Sequence, residues 1–220
     1  PPLFCDRDRA MFADETRAMT TWPEPLILRQ GDVSLVPLHT SHADELIEAA
    51  KDGELHALWY TSVPAPERML AEIERRLTLQ AKGTMLPFTV LVGARAVGMT
   101  TYMNIDAVNK RVEIGSTWYA KAVQRSGVNT RAKLALLTHA FEGLNVIAVE
   151  FRTHFFNHQS RRAIERLGAK LDGVLRSHQV MADGSLRDTC VYSILPHEWP
   201  AVNTHLNFQL ARHTRTAPPA

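Results

Sequence analysis

Apolar positions along the chain follow two spacings, one typical of strands and one typical of helices. Segments with alternating apolar residues, or with runs of β-branched and aromatic residues between turn residues, predict strands. The strongest hairpin turn in the sequence, Ala182-Asp183-Gly184, separates the last two of these segments. The predicted strands are Leu26–Arg29, Val33–Pro37, Phe88–Val92, Val97–Ile105, Arg111–Tyr119, Val146–His154, Lys170–Met181 and Leu186–Leu195.

Other segments repeat their apolar residues at the spacing of a helix. Ser and Thr are favoured helix caps, proline is favoured in the first turn, and glycine is favoured just after the end. Helices are therefore expected after the capping residues Thr40 and Ser41, between Pro66 and Gly83, over Val128–Phe141, over Ser160–Leu167, and in a partly helical tail that carries Trp199, Val202, Leu206 and Leu210.

The order of these elements predicts an α/β fold: one domain with a mixed α+β sheet flanked by helices. We place this domain over residues 26–200. Residues 1–25 mix charges with prolines and show no sustained period, so they are expected to form an N-terminal extension. Residues 201–220 are expected to form a C-terminal tail.

The composition is that of a packed globular domain, with 45% apolar and 22% charged residues, which excludes a disordered chain. No apolar run reaches the roughly 18–20 residues that cross a bilayer, and charges occupy the N-terminal segment where a signal peptide would be apolar. Cys5 and Cys190 are too few for a disulfide framework or a four-thiolate metal site. We therefore expect a cytoplasmic protein that uses neither a membrane nor a metal.

The charge pattern argues against a nucleic-acid partner. The 25 basic and 23 acidic residues give a net charge of +2, and the two signs are interleaved along most of the chain, whereas nucleic-acid binders concentrate their basic residues on one face. His154 and His158 stand four residues apart, but they straddle a strand end and a loop, so no metal pair is expected there.

One loop has features that suit a phosphate group. It runs from Ala122 to Thr130 and enters a predicted helix, whose first N–H groups would lack intrahelical partners. Gly127 would let a phosphate approach the backbone, and three cations add positive charge: Arg125, Arg131 and Lys133. A solvated helix start with basic residues has the same composition, so the loop alone leaves both interpretations open.

Several motifs carry a resemblance to a known family. Glu113-Ile114-Gly115, a strand that ends in Trp118-Tyr119, and the loop Gln124-Arg125-Ser126-Gly127-Val128-Asn129-Thr130 resemble the acetyl-CoA loop of the GNAT acetyltransferases. The segment Asn157–Ala169 resembles the NxxSxxxIxxLGA signature of their RimJ/RimL branch. The resemblance continues to Pro200 through Gly173-Val174-Leu175-Arg176, Asp183-Gly184, Arg187-Asp188-Thr189 and Glu198-Trp199-Pro200.

Two positions depart from the family pattern. Asn129 occupies the last small-residue position of the loop, and asparagine tolerates a positive φ better than other non-glycine residues. Ile164 stands where many members carry a tyrosine, which excludes a tyrosine general acid at that position. Ser160 is the residue that the RimJ/RimL branch uses near the thiol instead.

The resemblance implies a GNAT fold with splayed parallel strands, and acetyl transfer from acetyl-CoA to a primary amine. It implies Glu113 as the general base and Ser160 as the donor to the departing thiolate; a carboxylate merely paired with Arg111 or Arg152 is the alternative for Glu113. The residues implied in binding acetyl-CoA are Trp118, Tyr119, Gln124, Arg125, Ser126, Gly127, Val128, Asn129, Thr130, Asn157 and Ser160.

The acceptor is expected to be a peptide or protein N-terminus, or a peptide-like small molecule. Trp59, Tyr60 and His178 are the candidate acceptor-binding residues, although Trp59 and Tyr60 could equally fill the core. A homodimer is compatible with this expectation. The alternative function is a catalytically silent acyl-CoA-binding module that acts as a sensor or scaffold.

Overall fold

The computed structural model describes residues 22–61 and 63–216 of the chain, with side chains to residue 212. Within these residues, one sheet of eight strands has the order β1-β2-β3-β4-β5-β6-β8-β7. The strands are β1 (Leu28–Gln30), β2 (Val33–Pro37), β3 (Met85–Val92), β4 (Arg95–Asp106), β5 (Arg111–Tyr119), β6 (Ala148–His154), β7 (Lys170–Val180) and β8 (Leu186–Ile194). The helices are α1 (Ala43–Lys51), α2 (Met69–Ala81), α3 (Val128–Thr138), α4 (His158–Glu165) and α5 (Trp199–Thr216).

Several predicted helix boundaries differ from the observed ones, and α4 covers His158–Glu165 rather than Ser160–Leu167. The first helix is not capped by Thr40 or Ser41: a short 3-10 turn precedes α1, and the His39 side chain caps that turn by accepting from the backbone N–H of Ser41. Helix α3 ends at Thr138 rather than Phe141 and continues as a π turn over His139–Gly143. This turn places the Phe141 ring in a stack on Trp199 of α5, with 5.4 Å between the ring centroids.

Strand β3 starts at Met85, before the expected start at Phe88, and passes through Pro87. The carbonyl of Pro87 accepts a hydrogen bond from Leu38, just after β2 has ended. The N–H and C=O of one strand residue point to the same side, so the missing N–H also faces the end of β2. The proline therefore removes no bond from the ladder between β3 and β4.

The C-terminal helix α5 begins at Trp199 and crosses the expected boundary at residue 200. Its Val202 and Leu206 are buried in the same apolar cluster as α3 and the central strands. A helix with a buried apolar stripe is held by tertiary packing rather than by its own propensity. The first 21 residues, which contain most of the expected N-terminal extension, lie outside the described part of the chain.

Two apolar cores cover the two faces of the sheet. The core under α1 and α2 contains Leu46, Ile73 and Trp118, and the core under α3, α4 and α5 contains Tyr119 and Leu136. Because successive strand residues point to opposite faces, the neighbours Trp118 and Tyr119 enter different cores. The fold class predicted from the sequence is confirmed.

The central feature of the sheet is that β5 and β6 separate. They pair in parallel only where residues 111–113 face residues 148–150. Beyond Glu113, β5 continues to Tyr119 with β4 on one side, while β6 continues to His154 with β8 on its far side. The facing edges of the two strands are therefore open over their C-terminal halves.

A β-bulge in β5 lies beside this opening. Met99 pairs with Trp118 and Thr101 with Gly115, so β5 has one residue more than β4 over this stretch, and Ser116 takes a φ of 47°. The bulge is held from α2, where the buried Arg76 guanidinium donates to the Ser116 carbonyl at 3.4 Å. Arg76 also pairs with Glu72 at 2.7 Å, which compensates its buried charge.

Lys133 of α3 is buried against the other face of the sheet. Its ammonium donates to two neutral hydroxyls, Thr117 Oγ1 at 2.7 Å and Thr100 Oγ1 at 3.3 Å. Burial lowers the pKa of Lys133 from 10.5 to about 7. Between these values the unfolded chain binds a proton that the folded chain does not, so this lysine makes stability rise with pH from about 7 to about 10.

We predict that Lys133→Met stabilises the protein most at neutral pH. The gain in the free energy of unfolding should be on the order of 3 kcal/mol larger at pH 7 than at pH 10, because only the charged form is penalised by burial. Denaturant unfolding at both pH values measures the difference. The same substitution at the exposed Lys82 is the control and should leave the pH dependence unchanged. An equal gain at both pH values for Lys133→Met would contradict the prediction.

Candidate active site

The loop between β5 and α3 has a fixed conformation. Gln124 donates through Nε2 to the Tyr119 carbonyl at 3.1 Å, and Ser126 donates through Oγ to the Val123 carbonyl at 2.6 Å. Arg125 and Gly127 both have a positive φ, of 63° and 89°. The loop directly follows the C-terminal end of β5. These bonds and turns therefore place the N-terminus of α3 near the open end of the cleft between β5 and β6. The free N–H groups of its first turn suit an anion at this position.

The loop's charge is smaller than the sequence suggests. Lys133 does not reach the loop, because its ammonium is buried against the sheet. Arg131 lies 3.4 Å from Asp32 in the turn between β1 and β2. Of the three predicted cations, Arg125 is the exposed one without an ion pair in the described part of the chain. Attraction for a phosphate would therefore come mainly from backbone N–H groups and Arg125.

The loop's positive φ angles do not fall where the family pattern suggested. Asn129 lies within α3, and the left-handed residues are Arg125 and Gly127 instead. The tolerance of asparagine for a positive φ is therefore not needed here. Val128 and Thr130 are buried in the first turn of α3, so their side chains anchor the helix and leave their backbone N–H groups for a ligand.

Trp118 and Tyr119 offer backbone rather than side chains to the cleft. Both side chains are buried in apolar cores, and neither the Trp118 indole N–H nor the Tyr119 hydroxyl has a hydrogen-bond partner among the described residues. Burial raises the pKa of Tyr119 far above its ordinary value, which keeps the hydroxyl protonated. Alternate N–H groups of β5 face the open edge, where a developing oxyanion could be stabilised.

Glu113 lies at the vertex of the cleft, in the last pair formed by β5 and β6. Its side chain is buried, accepts from Asn104 Nδ2 at 2.7 Å, and lies 3.5 Å from Arg152 Nε. Burial raises the pKa of Glu113, although Asn104 and Arg152 act in the opposite direction. Of the two cations considered as structural partners, Arg152 is near Glu113, whereas Arg111 pairs with Glu150.

Asn157 and Ser160 form the start of α4, at the far end of β6. Asn157 is the cap: its Oδ1 accepts from the backbone N–H of Ser160 at 3.0 Å. Ser160 is therefore not a capping residue, and its half-buried hydroxyl has no hydrogen-bond partner in the described part of the chain. A free hydroxyl beside the cleft is available to a ligand.

The candidate acceptor residues lie at the same end of β6. The Trp59 ring is 53% exposed and contacts Tyr60 and His154, with centroid distances of 5.6 and 4.9 Å. This exposure shows that Trp59 does not fill the core, which was the alternative. His178 of β7 is exposed and hydrogen-bonds Thr189 Oγ1 of β8 through Nδ1 at 3.1 Å.

Sequence reasoning gave no catalytic or binding role to three residues on this face of the sheet: Arg152, His154 and Arg187. In β6 the polar residues Glu150, Arg152 and His154 alternate with buried Val149, Phe151 and Thr153, which places them on one face. This alternation was the available signal. The charge of Arg187 acts on both Glu113 and His154, so this arginine lies near both.

Comparison with known proteins identifies the family. The family model described as "Acetyltransferase (GNAT) domain" matches residues 32–170, more than half of the chain. The chain belongs to the GNAT acetyltransferase family. The predicted family and fold are thereby confirmed.

Individual relatives agree with this assignment. A Bacillus subtilis (strain 168) protein named "Putative ribosomal N-acetyltransferase YdaF" is 36% identical over 102 residues, which cover 46% of this chain and 55% of that protein. The chain thus spans about half the length of that curated relative. A GCN5-related N-acetyltransferase from Brucella melitensis has 31% identity and a TM-score of 0.74, over 84% of this chain and 85% of that one.

A more distant structure shows the fold alone. It is an acetyltransferase from Salmonella typhimurium described as modifying the N-terminal serine of ribosomal protein L7/L12, with 17% identity and a TM-score of 0.69 over 77% of this chain and 99% of that one. Among the described residues of our GNAT protein, no helix is long and apolar enough to cross a membrane. The same residues contain no cluster of three or more metal-ligating side chains.

The site of this GNAT protein fits coenzyme A in two respects. The first turn of α3, with Gly127 and Arg125, can hold the pyrophosphate through backbone N–H groups and one cation. The open edges of β5 and β6 offer unpaired backbone groups to the amides of an extended pantetheine arm. Both features are properties of the chain itself, independent of the family assignment.

We predict that Gly127→Glu abolishes measurable binding of acetyl-CoA. The new carboxylate would stand at the N-terminus of α3, where it repels a pyrophosphate, and a side chain there meets Arg131 Nη1 at 3.2 Å. Isothermal titration with acetyl-CoA measures the loss. Gly127→Ala introduces the same backbone strain without the charge, so it should bind acetyl-CoA more tightly than Gly127→Glu does. Gly83→Glu is the remote control, since Gly83 also has a positive φ and open space around it. Unchanged affinity in Gly127→Glu would exclude this phosphate site.

Proposed function

We propose that the protein transfers the acetyl group of acetyl-CoA to a primary amine of a peptide or peptide-like acceptor, by direct attack in a ternary complex. The observation that carries this proposal is the opening between β5 and β6 beside the N-terminus of α3. A thioester held along this opening would present its carbonyl carbon to the face of the sheet on which Glu113 lies. The acceptor would approach from that face.

The chemistry requires one proton to leave the amine and one to reach sulfur. The neutral amine attacks the thioester carbonyl, a C–N bond forms, and the C–S bond breaks as the thiolate leaves. Glu113, directly or through water, accepts the proton of the amine. The Ser160 hydroxyl, which has no partner in the described residues, donates to the departing sulfur. Backbone N–H groups at the open edge of β5 stabilise the oxyanion.

The charges around the cleft favour a peptide acceptor over a polyamine. A polycation would require clustered free carboxylates, but Glu72 of α2 is paired with Arg75 and Arg76, each at 2.7 Å, and Glu113 lies beside Arg152. Trp59 and Phe156, which are 53% and 57% exposed, offer apolar contact to a peptide side chain instead. The name of the Bacillus subtilis relative supports a ribosomal protein as the acceptor.

We predict that the purified protein acetylates peptide N-termini. Thiol release from acetyl-CoA should be fastest with short peptides, in a panel that also contains spermidine and an aminoglycoside. If thiol release with spermidine were much faster than with every peptide, the proposed peptide acceptor would be contradicted. Binding of acetyl-CoA without thiol release for any amine would support the alternative, a catalytically silent acyl-CoA-binding module.

We predict that Glu113→Gln lowers turnover about a hundredfold below pH 8, as expected for loss of a general base. The loss should shrink at higher pH, because more of the amine is then already neutral. The pH–rate profile of the best peptide measures both effects. Glu48→Gln is the control: it removes an exposed carboxylate of α1, which pairs with Lys51 and not with the cations beside Glu113, and it should change turnover by less than about threefold. If Glu113→Gln has the same pH–rate profile as the wild type, a water chain rather than this carboxylate removes the proton from the amine.

A further inference from the structure

His154, the last residue of β6, has a buried nitrogen for which the described residues offer no hydrogen-bond partner. Its side chain is 2% exposed, and Nδ1 accepts a hydrogen bond from the backbone N–H of Phe156 at 3.1 Å. Nε2 is fully buried and has no hydrogen-bond partner among the described residues. Buried polar atoms without partners are rare in folded proteins, and one beside a cleft points to a ligand atom.

The bond to Nδ1 determines what Nε2 can do. A backbone N–H can only donate, so Nδ1 must present its lone pair, and the neutral imidazole carries its proton on Nε2. Burial lowers the pKa of His154, and the charge of Arg187 lowers it further, so the ring is neutral at pH 7. Nε2 is therefore a hydrogen-bond donor with no acceptor in the part of the chain that the structure describes.

The rings packed around the His154 imidazole are themselves exposed to solvent. The Trp59 ring is nearly perpendicular to the imidazole, with an interplanar angle of 79° and 4.9 Å between centroids, and Phe156 stacks on the imidazole at 5.7 Å. An aromatic face accepts only weakly from an N–H, so these rings do not satisfy the donor. Both side chains are more than half exposed, so a ligand can displace one of them from Nε2 with little loss of buried area.

The position of His154 relates it to the proposed base. Alternation along β6 places it on the same face as Glu150, the register partner of Glu113. His154 is the fourth residue after Glu150 in the strand, a distance of about 13 Å at roughly 3.3 Å per residue. An extended peptide of about four residues covers the same distance. A donor at this distance from the amine would meet the peptide's backbone rather than its terminal amine.

We propose that His154 Nε2 donates a hydrogen bond to a backbone carbonyl oxygen of an extended peptide acceptor, and so selects peptides over amines that lack this carbonyl. This inference rests on the function proposed above and specifies the acceptor of the same site. His154 is a specificity-determining residue in this arrangement and takes no part in proton transfer. Trp59 and Phe156 would pack against the side chains that flank the bonded carbonyl.

The test uses a four-residue peptide amide and three analogues, in each of which one of the first three backbone amides is replaced by a trans-alkene, which keeps the extended shape, lacks the carbonyl oxygen and adds no basic nitrogen. Binding to the full-length protein with coenzyme A present is measured by titration calorimetry, and kcat/KM is measured with acetyl-CoA. For the wild type, we expect one analogue to bind roughly fivefold to tenfold more weakly than the parent, and its kcat/KM to fall equally. The other two should behave like the parent.

The variants assign this preference to the imidazole. The wild type is expected to bind one analogue more weakly than the parent peptide. His154→Phe should bind the parent peptide as weakly as that, and should bind this analogue and the parent equally. His154→Gln, whose amide can accept from Phe156 and donate to a ligand, should retain most of the preference. His197→Phe, at an exposed position beyond the other end of β8, is the control and should match the wild type.

The outcomes separate this inference from the proposed function. If the wild type discriminates no analogue, or if His154→Phe discriminates as the wild type does, the inference is overturned while acetylation of the parent peptide still supports the proposed function. If the parent is bound with the expected pattern but is not acetylated, the inference holds and the proposed function fails. Thermal unfolding of each variant confirms that the loss of the Phe156 hydrogen bond has not unfolded the protein.

Discussion

The early end of the parallel pairing between β5 and β6 is the constraint on which the rest of the site depends. If the ladder continued beyond Glu113, the edges of both strands would be occupied by each other and no backbone group would face a ligand. Separation leaves polar groups unpaired in the middle of a sheet, which is unfavourable unless another molecule or water satisfies them. An extended molecule with its own amides is the chemical partner that such an opening fits. The candidate roles of Glu113, Trp118 and Tyr119 all follow from their positions along these edges.

The separation is held by packing on both faces. On one face, α2 directs the buried Arg76 guanidinium to the carbonyl of Ser116, at the bulge that bends β5 away from β6. On the other face, Lys133 of α3 bonds Thr117, the next residue of the same bulge. Two cations buried on opposite sides of one distorted strand are costly to desolvate. Their hydrogen bonds to Ser116 and Thr117 hold the bulge, and with it the direction in which β5 presents its N–H groups.

The sequence predicted the strands and the loop well because both depend on local rules. Alternation, turn residues and an α-helix start are properties of neighbouring residues, and Gly127 occupies the left-handed position that glycine favours. The pairing of charges could not be predicted in the same way. Lys133 was expected at the phosphate loop but lies under the sheet, since the direction of a helix side chain depends on how the helix packs. Likewise, the free state of Nε2 in His154 depends on a turn at Phe156 and on Trp59, which is 95 positions away in the chain.

The protonation states of the buried groups support Glu113 as the base more strongly than its position alone does. His154 lies on the same face, but its neutral ring already carries a proton on Nε2 and uses the lone pair of Nδ1 for Phe156. Lys133 has a lowered pKa, which would suit proton transfer, but its ammonium lies on the opposite face and donates to Thr117. Glu113 combines a raised pKa with a place at the vertex of the cleft. A carboxylate with a raised pKa binds a proton from an ammonium more readily than an ordinary one, while the charges of Arg152 and Arg187 favour its ionised form.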